Sequence, residues 1–179
     1  MRIYIPVSAA QMLAVEISPG RVHGVTPAAQ AAFPESDREE LEMLATLYAA
    51  DDALLAMREA GAAQKEMAAA QRGGDSAQSV SLRRIVAVGE VPDTWVRIAS
   101  ASADDAQPPT CMELLRAVPW SKIESIHVDE PGSEALVQRA VNGDAVAFDA
   151  TGDIELLWYD VTEREALAQE LLHPTGEAR

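Results

Sequence analysis

The segment from Ser36 to Ala60 constrains the fold more than any other stretch of this chain. Ser36 and Glu39 have the spacing of a capping box, and Asp37, Glu39 and Glu40 suit the positive end of a helix. Behind them Leu41, Leu44, Tyr48 and Leu55 recur at three-, four- and seven-residue steps, and Leu47 and Leu54 widen the stripe. The pattern predicts an amphipathic helix from Asp37 to about Ala60. Gly61 is its expected stop, although the good helix formers at 62–71 allow an extension. A helix of this length must bury its apolar stripe against a second layer. Its acidic opening, Asp37 to Glu42, reads as a solvated helix start.

Strands supply that layer. In Arg2–Val7, Ile3, Ile5 and Val7 alternate with Arg2 and Tyr4, as in a half-buried strand, and Pro6 places its end near a sheet edge or exit. Ile85-Val86-Ala87-Val88 is a continuous apolar run, expected of a strand covered on both faces. Further strands are expected at Val22–Val25, Thr94–Ala99, Met112–Val118, Glu124–Asp129 and Ile154–Val161. Ser8, Thr26, Ser133 and Thr162 are each placed to start a short helix. Asn142-Gly143-Asp144 should end the one that begins after Ser133. The expectation is an α+β fold, with a mixed four- to six-stranded sheet and helices mainly on one face. It forms a single domain over 1–172, with flexible loops at 72–81 and 100–109 and a frayed tail at 173–179.

Charge and cysteine content narrow the partners. With 14 Lys plus Arg against 29 Asp plus Glu, the net charge of −15 repels phosphate backbones and anionic membranes. No nucleic acid or membrane partner is expected, no window has the apolar length of a membrane span, and Met1–Val15 lacks the features of a signal peptide. A cytoplasmic location follows as the expectation. Cys111, the only cysteine, excludes an internal disulfide and reads as a small buried hydrophobe. The phosphate-binding glycine motifs and the Gly-x-Ser-x-Gly elbow are missing, so no cofactor is implied.

One place carries titratable groups at a suggestive spacing. In Ile123–Glu130, alternation puts His127 and Asp129 on one face of a strand and Ile126 and Val128 on the other. His127 and Asp129, with Glu130 or Asp160, could ligate a divalent metal, or Asp129 could orient His127 as a general base. The plainer alternative is a hydrogen-bonded strand-end histidine, since a metal site wants three or four protein ligands. Trp120 and Trp158 (with Trp95) are candidates to line a ligand pocket, against the alternative of core packing.

Several motifs in a shared order, MRIYIP at 1–6, VTP at 25–27, VPW at 118–120, IHVD at 126–129 and ELLWY at 155–159, resemble an uncharacterised family of short cytoplasmic proteins from actinobacteria. The resemblance implies no activity and assigns no catalytic residue. Two function classes therefore stand. The first is a small acidic interaction or regulatory module without catalysis, engaging a protein partner or a second copy. The second is a small-molecule- or metal-binding protein or enzyme centred on His127 and Asp129.

Overall fold

The computed structural model describes residues 1–70, 81–98 and 107–173. The loops expected at 72–81 and 100–109 and the tail expected at 173–179 lie almost wholly outside these residues. In chain order the elements are β1 (Arg2–Val7), α1 (Ala9–Met12), β2 (Glu16–Ile17), β3 (Gly20–His23), α2 (Pro27–Ala32) and α3 (Arg38–Ala70). Then come β4 (Ile85–Glu90), β5 (Val96–Ile98), β6 (Cys111–Leu114), β7 (Val118–Pro119), β8 (Ile123–Asp129), α4 (Glu134–Val141), α5 (Ala145–Ala150), β9 (Leu156–Asp160) and α6 (Arg164–Leu172).

The fold is α+β. Its main sheet has seven strands in the order β5-β6-β3-β1-β4-β8-β9, and β2 pairs with β7 in a second small sheet. The sheet is larger than the four to six strands expected, because the short segments read at Val22–Val25, Thr94–Ala99 and Met112–Val118 all join the same sheet, as β3, β5 and β6. It is also antiparallel at every described pairing, not mixed. Side-chain pattern reports which residues face the core and carries no information on strand polarity.

Ile85–Val88 is central, flanked by β1 and β8, and all four residues are buried. Alternation then sorts the core into two layers. Ile3, Ile5, Val7, Ile85, Ala87, Ile126 and Val128 face α1 and α6. Tyr4, Val86 and Val88 face α3. The long helix and the α4–α5 pair beside it, joined through Leu54, Ala140 and Ala147, hold most of the helical residues on that second face. Gly89 lies where the β4–β8 register shifts, and a Cβ there would meet the Lys122 carbonyl oxygen at 2.2 Å. Only glycine permits that approach.

The long helix departs from its expected form in three ways. Its capping box is Asp37 with Glu40, one residue later than expected: the Glu40 N–H donates to Asp37 Oδ1 (2.9 Å) and the Asp37 N–H to Glu40 Oε2 (3.1 Å). A carboxylate accepts more strongly than the Ser36 hydroxyl. The helix also passes through Gly61 to Ala70, since a lone glycine costs only about 1 kcal/mol among good helix formers. Finally, Leu41, Ala45, Ala49, Ala50, Ala53 and Leu54 are buried, while Leu44, Leu47 and Tyr48 are half-buried and Leu55 is exposed. Small side chains bring the helix axis close over the bulky Tyr4, Val86 and Val88. Asn142-Gly143-Asp144 ends α4 and at once opens α5, an unexpected helix: Gly143 takes a φ of +94° and Asp144 Oδ1 accepts from the Ala147 N–H.

Candidate functional site

The α3 face of the sheet gathers nearly all the buried charge in the described residues. At its centre, Asp129 ends β8 fully buried, opposite the residues that precede β4. Arg84 grips it with Nη2 on Oδ1 (2.9 Å) and Nε on Oδ2 (3.0 Å), while the Arg84 backbone N–H donates to Oδ2 (2.7 Å). Arg84 Nη2 also donates to the Thr151 carbonyl (2.7 Å), tying in the end of α5. Arg83 sits beside it, with Nε donating to the Asp129 carbonyl oxygen. Burial of this kind demands a counter-charge, because an isolated charge in an apolar interior is costly, although Arg84 Nη1 has no hydrogen-bond partner among the described residues.

Two adjacent aspartates of α3 divide between two strands. Asp51 Oδ1 stands 3.7 Å from Arg84 Nη1. Burial pushes its carboxyl above the ordinary range, while Arg84 pulls it down and Asp52 adds to the rise. Asp52 turns the other way, accepting from Arg21 and meeting His23 Nε2 at 3.1 Å. His23 is fully buried, with Nδ1 2.9 Å from Thr110 Oγ1 and its ring stacked against Tyr48. Both ring nitrogens are occupied, so this histidine is a strut between β3, α3 and the start of β6. Cys111 pairs with His23 across the strands, and burial raises its thiol pKa.

The structure places the expected site residues as follows. His127 and Asp129 do share a face, as alternation requires, but Asp129 spends both oxygens on Arg84 and its backbone. His127, half-buried two residues away, instead meets Ser125 Oγ at 3.4 Å. Burial first, and the positive Arg2 second, hold the imidazole below its ordinary range. Its cross-strand partner is Trp158, which is 61% exposed. Trp120 lies on the opposite side of the sheet, buried among the α1 and α6 residues. Its indole N–H donates to the Ala14 carbonyl (3.1 Å), and the Arg164 guanidinium stands 4.8 Å from its ring centre. The tryptophans therefore do not converge. Asp160 caps the turn at Val161–Glu163 by accepting from Thr162, and those bonds lower its pKa. Glu130 is exposed at the strand end. Among the described residues, no three His, Cys, Asp or Glu side chains are grouped to hold a metal ion.

Arg83, Arg84, Asp51, Asp52 and His23 were not singled out by the sequence. A signal was present: two adjacent arginines immediately before the most apolar strand, and two adjacent aspartates in a run, 49–56, that is otherwise alanine and leucine.

The chain belongs to a family of unknown function, DUF6912, whose model matches residues 1–168. No curated protein and no solved structure matches it. No helix among the described residues is long and apolar enough to cross a membrane.

Proposed function

We propose that this protein is a non-catalytic interaction module, and that its recognition surface is the open α3-side face of the β8–β9 strand pair. The observation that carries this reading is Trp158, largely exposed and in register with the half-buried His127 on a strand at the edge of the sheet. Tryptophan is the residue type most often found as an energetic anchor in protein interfaces. An edge strand also offers unpaired backbone groups to a partner. Elsewhere on the same sheet and on α3, Arg2 pairs with Glu124 and Glu42, and Arg38 pairs with Glu42. These charges give the surface a polar border, as interface rims have.

The capture of Asp129 by Arg84 weighs against the alternative, a metal or acid–base centre on His127 and Asp129. Both carboxylate oxygens already have donors, so recruiting them would expose a buried cation. The net charge of −15 favours a protein partner with a basic complementary surface, or a second copy, over nucleic acid or an anionic membrane. A cytoplasmic setting and an actinobacterial origin complete the reading.

A photo-crosslinking side chain at position 158, with a control at the exposed Val146 on α5, tests it. The expected result is one adduct at 158 that untagged protein competes away and that Trp158→Ala protein does not. Identical adducts at both positions, or competition by the Trp158→Ala protein, would refute the surface. Metal-dependent turnover abolished by His127→Ala would establish the alternative.

A further inference from the structure

We propose that a second site, remote from the β8–β9 surface, binds a small amphiphilic anion: a carboxylate on a short apolar chain, held by Arg83. A cavity of about 440 Å³ lies between α3, the β1–α1 junction and the start of β4. That size is within the range of about 300–1,000 Å³ typical of small-molecule sites. Val7, Ala53, Met57, Ile85 and Leu172 give it apolar walls, and Ser8, Ser81 and Arg83 bring the polar groups.

Arg83 makes this cavity more than an apolar gap. The residue is 5% exposed, yet its guanidinium is poorly supplied with acceptors. The carboxylate of Asp129, the natural counter-ion, is used up by Arg84, and Arg83 receives only the Asp129 backbone carbonyl at Nε. The Glu170 carboxylate is 3.9 Å from Nη1, beyond hydrogen-bond reach, and its side chain is mostly in solvent. Nη2 is buried with no hydrogen-bond partner among the described residues. Two buried guanidiniums thus share one fully buried carboxylate.

A guanidinium carries five donors in a fork that matches a carboxylate, and a buried donor left unpaired is costly. A ligand carboxylate would supply the missing charge at the Arg83 side chain that borders the cavity and, once the guanidinium turns its enclosed Nη2 outward, the missing acceptor, while its chain would lie against Val7, Met57 and Leu172. The protein's overall negative charge opposes anions only at long range, since screening cuts it off beyond about 8 Å at physiological salt. Glu170 is the acidic group facing Arg83 from α6, and a single guanidinium beside it suits a monoanion better than a phosphate dianion.

Sodium hexanoate, titrated into the full chain, is the probe, followed by thermal melts and by methyl NMR signals of Val7, Met57 and Leu172. Hexanoate is expected to raise the melting temperature saturably and to shift those methyls, because a ligand bound to the folded state stabilises it. Acetate lacks the chain and hexan-1-ol lacks the charge, so each should bind at least tenfold more weakly. Arg83→Gln should remove hexanoate binding. Because that change also touches a buried network, Ala56→Trp supplies the independent check. Ala56 lines the cavity from an exposed helix position, so the variant fills the space with Arg83 intact, and it should fold normally and lose hexanoate. Non-saturable shifts, hexan-1-ol binding as tightly as hexanoate, or unchanged binding in Ala56→Trp would each overturn the proposal.

Discussion

Arg84 and Asp129 form a bidentate ion pair that is almost wholly removed from solvent, with side-chain exposures of 1% and 0%. It joins the residue preceding the central strand β4 to the last residue of β8, and through Thr151 it reaches the end of α5. Removing one partner leaves the other as an uncompensated buried charge. Arg84→Ala or Asp129→Ala should therefore cost about 3–5 kcal/mol, read as a shift of the denaturant midpoint. The double variant Arg84→Met/Asp129→Leu should lose less than either single one. A larger loss in the double variant would mean that the pair contributes by itself and not merely by mutual compensation.

The two expected site tryptophans should separate cleanly. Trp120 is packed in the core with its indole N–H satisfied, so Trp120→Ala should cost about 3–5 kcal/mol. Trp158 is mostly exposed, and Trp158→Ala should stay within about 0.5 kcal/mol of the parent protein. Chemical denaturation of both variants measures the difference. Equal losses would show that Trp158 is a structural residue.

Much of this was readable in the sequence, and the limit falls at a definable place. Ile85–Val88 declared itself as a central strand because an apolar run without alternation has to be covered on both faces. Ser8, Thr26 and Pro27 also announced their helices: Ser8 and Gln11 form a capping box, and Thr26 Oγ1 accepts from the Ala29 N–H. Local chemistry fixes such features. The partner of Asp129 was not readable, because Arg84 is 45 residues away and nothing local links them. His127 and Asp129 looked like one site because alternation fixes the face a side chain takes, and only packing decides what it meets there. The alanine face of α3 was missed for a similar reason. A leucine stripe marks where a helix can bury surface, and the bulk of Tyr4, Val86 and Val88 decides that small residues do so.

Acid should expose the cost of His127. Its folded-state pKa lies below the ordinary histidine value because of burial and the nearby Arg2. Between the ordinary value near 6.5 and that lower folded value, the unfolded chain binds the proton more readily. The stabilisation from a neutral His127 is complete above about pH 6.5 and is lost as pH falls through the folded pKa. His127→Gln should flatten the stability profile over this window. An unchanged slope in the variant would assign the acid sensitivity to other groups.

Tyr4 sets the matching limit in alkali. Burial, with Glu42 as an adjacent negative charge, pushes its phenol up to about 12 from an ordinary value of 10.0. Above pH 10 the unfolded chain releases this proton first, so folding stability is full below that point and declines as pH rises toward 12. Tyr4→Phe should remove that part of the decline while keeping the ring that packs on Ala45 and Ala49. Tyrosinate absorbance is the direct check: one of the three tyrosines should titrate late, and its ionisation should coincide with unfolding.

Gly89 offers the sharpest test of the sheet itself. It lies at the register shift between β4 and β8, where an added Cβ would stand 2.2 Å from the Lys122 carbonyl oxygen and 2.9 Å from Ile123 Cα. Both obstacles are backbone atoms, so rotating a side chain cannot relieve them. Gly89→Ala gains a little from the smaller entropy of the unfolded chain, at most about 1 kcal/mol. The clash should outweigh that gain and leave a net loss of about 1–3 kcal/mol, as expected for overpacking. Gly20→Ala on β3 is the control, since no atom lies within 4 Å of its added Cβ. A stabilised Gly89→Ala protein would mean that β8 sits further from β4 than the observed pairing places it.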